Sequence, residues 1–193
     1  MHAICVFCGS SDAVSPEYLA VARKTGAVLA RRGLRLVFGG GRTGLMGALA
    51  DGALEAGGEV IGVIIPEMHT NALAHSGLTR MHVEPGMHAR KARMHVLADG
   101  YIALPGGFGT FDELFETLTW SQTGAHEKPV GLLNIRQYFD PLLAALRHAV
   151  QEGFIFQEHL DALACEVDPE TLLEAMQNHQ HPHDAVRRWM REE

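Results

Sequence analysis

Strand-like and helix-like segments alternate along this whole chain, and three of the apolar runs end in glycine-rich turns. The runs are 3–8, 34–38 and 101–104. The turns that follow them are Gly9-Ser10-Ser11, Gly39-Gly40-Gly41 and Pro105-Gly106-Gly107. Alternation of this kind predicts an α/β architecture: a Rossmann-like, doubly wound, mainly parallel sheet with helices on both faces. Such sheets bind ligands beyond the carboxyl ends of their strands. Right-handed crossovers would bring all three turns to that one edge. Further strands are expected over 59–65, 79–84, 130–134 and 164–167. Helices are expected over 16–32, 45–56, 87–98, 110–123, 139–152 and 169–178, with an irregular polar stretch at 67–77. This reads as a single nucleotide-binding domain over 1–178, followed by a polar tail over 179–193. Alternating histidines at 179, 181 and 183 have a pattern that can hold metal, but a solvated tail is the favoured expectation.

At 193 residues the chain can bury one good core and is short for two domains. The net charge of −7 and the lack of a basic stripe argue against nucleic acid as a partner. The one basic cluster is Arg90-Lys91-Ala92-Arg93. No apolar run approaches the roughly 20 residues that span a bilayer, and the stretch at 3–7 is too short for a signal peptide. Three cysteines, an odd number, argue against a disulfide framework and for a reduced, cytoplasmic setting. Cys5 and Cys8 have metal-like spacing, but on a strand they face opposite sides. Core thiols are therefore expected, rather than zinc or redox chemistry.

The segment from Pro105 to Glu113 carries the most chemistry. Gly106, Gly107, Gly109 and Thr110, with Phe108 among them, form a strand-to-helix turn whose free N–H groups would cradle an anion. Thr110 and Glu113 also satisfy T-x-x-E, a capping box. Glu113 can thus be a helix cap, a reacting carboxylate, or both. In a first helical turn it would feel the positive end of the helix dipole and stay ionised, subject to burial. Glu116, one turn on, could pair with it or simply pack. Arg90 could clamp a phosphate, orient Glu113 or hydrogen-bond a base. Gly39–Gly44 satisfies G-x-G-x-x-G, a dinucleotide fingerprint. An acid about 20 residues on, Glu67, lies beyond the strand end, and no lysine follows to make a Walker A loop. Two nests and a Gly-Ser-Ser turn suit a mononucleotide held from several loops, which adds Ser10, Gly41 and Thr43 to the candidate site.

At these residues the chain resembles the Lonely Guy family of cytokinin-activating phosphoribohydrolases, similar sequences of which have been labelled lysine decarboxylases. The residues that carry the resemblance are P-G-G-x-G-T-x-x-E at 105–113, Arg90-Lys91 about 16 residues upstream of Gly106, both other glycine turns, Trp120, and Lys128 to Asn134. The likeness runs over roughly 3–175. It implies a Rossmann-like homodimer with no metal and no redox cofactor. It also implies hydrolysis of the N-glycosidic bond of a purine nucleoside 5′-monophosphate (AMP or an N6-substituted AMP), releasing base and ribose 5-phosphate. Arg90 and Glu113 match the family's catalytic pair, and Gly106, Gly107, Gly109 and Thr110 its phosphate loop. Lys91 and Met87 join the expected substrate-binding set. The chain departs from the family pattern at Ala89, Asp112 and the 71–75 stretch, the last of which bears on the base.

Overall fold

The computed structural model describes residues 1–191. Seven strands form one sheet in the order β4-β3-β2-β1-β5-β6-β7, every neighbouring pair parallel. The strands are β1 (Ala3–Phe7), β2 (Arg35–Phe38), β3 (Val60–Ile64), β4 (Arg80–Val83), β5 (Gly100–Ala103), β6 (Val130–Leu133) and β7 (Leu163–Glu166). The helices are α1 (Pro16–Arg31), α2 (Gly44–Glu55), α3 (Met87–Leu97), α4 (Phe108–Gln122), α5 (Asp140–Gln151), α6 (Gln157–Asp161), α7 (Pro169–Gln177) and α8 (His183–Met190). The doubly wound α/β class read from the sequence is the class observed.

Central strands β1, β3, β5 and β6 are buried at every position. That is why they read as unbroken apolar runs rather than as alternating ones. The residues of β1, with Cys8 just after it, divide between two cores. Ile4, Val6 and Cys8 join one apolar cluster, and Ala3, Cys5 and Phe7 join the other. Cys5 and Cys8 are therefore buried free thiols on opposite faces of the sheet, as the strand periodicity predicts. Sequence order runs outward from β1 through β2 to β4 on one side and from β5 to β7 on the other. The reversal lies between β1 and β5, so a crevice opens beyond their carboxyl ends.

The chain after 178 differs from the expected solvated tail. Residues His183–Met190 form α8. It is amphipathic, buries Ala185 and packs Trp189 edge-on to Phe156 at 6.3 Å. Arg188 sits over the Phe156 ring at 4.9 Å and pairs with Glu158 at 2.6 Å. Eight residues with few apolar positions gave little periodicity to read, and the docking partners lie some thirty residues upstream. No grouping of three or more metal-ligand side chains occurs among the described residues. No helix among them is long and apolar enough to cross a membrane.

Candidate active site

The turn after β5 is fixed from two sides. The Gly9 N–H donates to the Pro105 carbonyl at 3.0 Å, and the Tyr138 hydroxyl donates to the Gly106 carbonyl at 2.5 Å. Gly106 is a glycine for packing: a Cβ there would lie 2.1 Å from Thr110 Oγ1 and 2.8 Å from the Gly9 nitrogen. Gly107 and Gly109 differ, because a Cβ on either would meet nothing within 4 Å. Both line a cleft of about 460 Å³ that also takes in Phe108 and Thr110. Sites for small molecules commonly measure roughly 300–1,000 Å³.

The helix starts earlier than its capping box suggests. α4 begins at Phe108, with Gly107 as its N-cap and no side-chain cap. Thr110 is already inside the first turn, and the expected T-x-x-E box does not form. The amides of Gly107, Phe108, Gly109 and Thr110 have no acceptor among the described residues. They are the donors that a helix start leaves unpaired, and they face a cleft. Phe108 stands almost fully exposed, at 95%.

Glu113 therefore lies in the second turn, beyond the reach of the helix dipole. Its partner is Arg90, from α3. The two carboxylate and guanidinium groups meet at 2.8 Å between Nη1 and Oε1. Both residues are buried, Arg90 at 6% exposure and Glu113 at 7%, yet both line the cleft. Arg90 Nε donates to the Val63 carbonyl at 2.9 Å, and Met87 Sδ lies 3.5 Å from Nη1. The guanidinium fits because residue 39 has no side chain: a Cβ on Gly39 would fall 2.3 Å from Nη2. Burial pushes the Glu113 pKa up from the ordinary glutamate value, while the Arg90 charge and hydrogen bond oppose the rise. A carboxylate so held keeps a high local field, because burial lowers the effective dielectric around it.

The turn after β2 has a different character. The Gly44 N–H donates to Asp12 Oδ1 at 2.8 Å. Leu45 and Met46 donate to the Gly9 carbonyl at 3.0 and 3.3 Å, and Arg42 donates to the Leu73 carbonyl at 2.9 Å. The amides at the start of α2 are thus spent on the protein, and the helix-start part of the expected second anion nest is taken. The remaining candidates from this side, Gly41, Thr43 and Ser10, line the cleft as a wall. Thr43 Oγ1 donates to the Ser10 carbonyl at 2.8 Å. Glu67 is exposed on a single 3-10 turn, Pro66–Met68.

Three expected residues sit outside the cleft. Lys91 places Nζ 3.0 Å from both Asp112 and Glu116, so its charge is matched by two carboxylates of α4. Glu116 is accordingly tied to Lys91 rather than to Glu113. Met87 places its sulfur against Arg90 and, like Gly106, which supports the turn, does not line the cleft. An apolar end of the cleft is built from Met46, Ile64, Met68 and Leu73; the last two lie in the 67–77 loop expected to bear on the base, whereas Met46 and Ile64 were not foreseen. Met68 and Leu73 are large apolar residues in an otherwise polar stretch. That incongruity was the available signal.

A family model described as "Possible lysine decarboxylase" matches residues 46–176. A cytokinin riboside 5′-monophosphate phosphoribohydrolase of Rhodococcoides fascians is 52% identical over 154 residues, covering 79% of this chain and 77% of the relative. An Arabidopsis thaliana protein of the same name is 45% identical over 152 residues, covering 79% and 70%. The chain belongs to the Lonely Guy family. Among solved structures, the molybdenum cofactor binding protein of Rippkaea orientalis superposes with a TM-score of 0.69 at 25% identity, covering 92% of this chain and 96% of that one. The molybdenum cofactor carrier protein of Chlamydomonas reinhardtii gives 0.68 at 21% identity over 92% and 96%, a likeness of fold alone. The decarboxylase description of that family model finds no lysine in the cleft. Lys24 pairs with Asp168, Lys91 is doubly paired, and Lys128 Nζ donates to the His95 carbonyl at 2.8 Å.

Proposed function

We propose that the protein is a phosphoribohydrolase that cleaves the N-glycosidic bond of purine nucleoside 5′-monophosphates, with adenine or N6-modified adenine as the base. The products are the free base and ribose 5-phosphate. One observation carries this reading: four unpaired helix-start amides stand beside a buried, arginine-held carboxylate in one cleft. An anion site next to a fixed negative charge suits a substrate whose phosphate is anchored while positive charge develops a few bonds away.

In this proposal the 5′-phosphate docks on the amides of Gly107 to Thr110, where the partial positive charge of the helix start favours an anion. The ribose then lies over Glu113. As the glycosidic bond stretches, the ribosyl group gains oxocarbenium character, and the carboxylate stabilises it. A preorganised charge in a water-poor site is worth several kcal/mol in the transition state. Glu113 also orients the water that adds its oxygen to the anomeric carbon, and the proton balance is completed on the departing base. Arg90 keeps the carboxylate ionised and in place. The apolar end formed by Met46, Ile64, Met68 and Leu73 would receive the base and favours an N6 substituent of apolar character. The homodimer implied by the family resemblance and a cytoplasmic setting belong to this proposal as well.

The likeness to cofactor-binding proteins of the same fold favours a second reading, a nucleotide carrier without catalysis. A carrier has no need of a buried ion pair, which is costly to desolvate. An NAD(P)-dependent oxidoreductase is disfavoured because the first amides of α2, where its fingerprint would seat a pyrophosphate, are bonded to Asp12 and Gly9. Incubation with AMP and with N6-isopentenyl-AMP, followed by chromatography, separates these readings. Free base and ribose 5-phosphate are expected in equal amounts. Tight binding with no base released would establish the carrier instead.

A further inference from the structure

The loop between β6 and α5 does not line the cleft, yet its backbone is strained. Arg136 (φ 53°) and Gln137 (φ 60°) follow one another in the left-handed region, which residues with a Cβ rarely enter. Strain of this kind persists only where the surroundings over-determine it, and here they do. Asn134 Oδ1 accepts from the Phe139 N–H at 2.7 Å, and its Nδ2 donates to Asp140 Oδ1 at 2.7 Å. Arg136 Nη1 donates to Ser15 Oγ at 3.2 Å and lies 3.3 Å from the Glu17 carboxylate. Its guanidinium sits over the Tyr18 ring at 5.9 Å.

What the strained turn delivers is Tyr138. Its ring stacks on Phe111 of α4 at 6.5 Å and meets Tyr18 edge-on at 6.3 Å. Its hydroxyl donates to the Gly106 carbonyl at 2.5 Å. That carbonyl and the Gly107 N–H belong to one planar trans peptide, so they point to opposite sides. Tyr138 is not a wall of the cleft, whereas Gly107 is. Holding the carbonyl from behind therefore turns the Gly107 N–H toward the cleft. Without that bond a Gly-Gly peptide has the widest conformational freedom a chain can offer.

We propose that Tyr138 is a positioning residue for phosphate binding: its hydroxyl pins the Gly106–Gly107 peptide so that the Gly107 N–H stays aimed at the substrate's 5′-phosphate. The inference rests on the reading of this turn as the phosphate seat. An amide that grips the phosphate equally before and during reaction contributes uniform binding, so its loss raises KM and spares kcat.

Tyr138→Phe keeps the ring packing and removes the donor. It is expected to raise the KM for AMP about tenfold, the size of one lost charge-assisted hydrogen bond, with kcat changed less than about twofold. Inhibition by ribose 5-phosphate should weaken by the same factor, while inhibition by adenosine, which has no phosphate, should not. A merely structural role would weaken both inhibitors alike, and that result, or an unchanged response to ribose 5-phosphate, overturns the proposal. Should the phenylalanine variant fold poorly, 4-aminophenylalanine and 4-methylphenylalanine installed at 138 give the same contrast. Calorimetry should find ribose 5-phosphate affinity kept by the amino side chain and lost with the methyl one; equal affinities overturn it. Wild-type protein that binds AMP without cleaving it removes only the activity reading, and the calorimetric contrast still decides Tyr138. Wild-type protein that binds neither AMP nor ribose 5-phosphate overturns both.

Discussion

Two glycine turns on neighbouring parts of the sheet edge look alike in sequence and do opposite things. In Gly39–Gly44 the glycines let the protein approach itself. A Cβ on Gly44 would fall 2.5 Å from the Ser10 backbone, and one on Gly39 would strike the Arg90 guanidinium. The amides of Arg42, Gly44, Leu45 and Met46, where this turn enters α2, are bonded to Leu73, Asp12 and Gly9. In Gly106–Gly109 the last two glycines face open space, and the amides beside them are unpaired. The helix start after the first turn is capped by the protein, whereas the helix start in the second keeps amides with no acceptor among the described residues. A glycine motif thus announces close approach without saying whose atoms approach.

The sharpest way to break this contrast is at Gly44, whose φ is +58°. Gly44→Ala should lower folding stability by on the order of 3 kcal/mol through overpacking and left-handed strain, read from the denaturant midpoint. Gly39→Ala should act on chemistry instead. The displaced group is the end of the Arg90 side chain, so kcat should fall on the order of a hundredfold with a small change in the midpoint. Gly109→Ala should do neither. Alanine suits a helix about 1 kcal/mol better than glycine, so stability should hold or rise slightly. The KM for AMP should climb on the order of tenfold as the methyl group enters the phosphate seat. If Gly109→Ala were as destabilising as Gly44→Ala, the two turns would not differ as described.

A smaller effect sharpens the electrostatic half of the account. Burial raises the Glu113 pKa and Arg90 lowers it. Activity that needs the carboxylate is therefore lost as pH falls through a value above the ordinary glutamate range. Arg90→Gln removes the opposing charge and should move the Glu113 titration further up, by about one pH unit or more, as followed by carbon-13 NMR of the carboxyl. A downward movement would show that the Arg90 charge is not what holds the Glu113 pKa down.

Local chemistry made much of this legible. Apolar runs with glycine ends gave the strands and the edge where the site forms, because both signals act within a few residues. Arg90 and Glu113 could be paired on spacing and resemblance, and they meet at 2.8 Å. What stayed hidden depends on partners distant in the chain. Lys91 is claimed by Asp112 and Glu116, and the Gly44 amide by Asp12, across 32 residues. The apparent capping box at Thr110 fails because Gly107 and the turn before it already set the helix start. Tyr138 reads as an ordinary aromatic until its hydroxyl is found on the Gly106 carbonyl.

The central claim is that the Glu113 carboxylate, held by Arg90 beside the open amides, drives cleavage of the glycosidic bond. Glu113→Gln keeps the size and most of the hydrogen bonding while removing the charge. Base release from AMP by this variant should fall at least on the order of 10³-fold, with AMP binding by calorimetry still measurable. Base release at the wild-type rate would contradict the account.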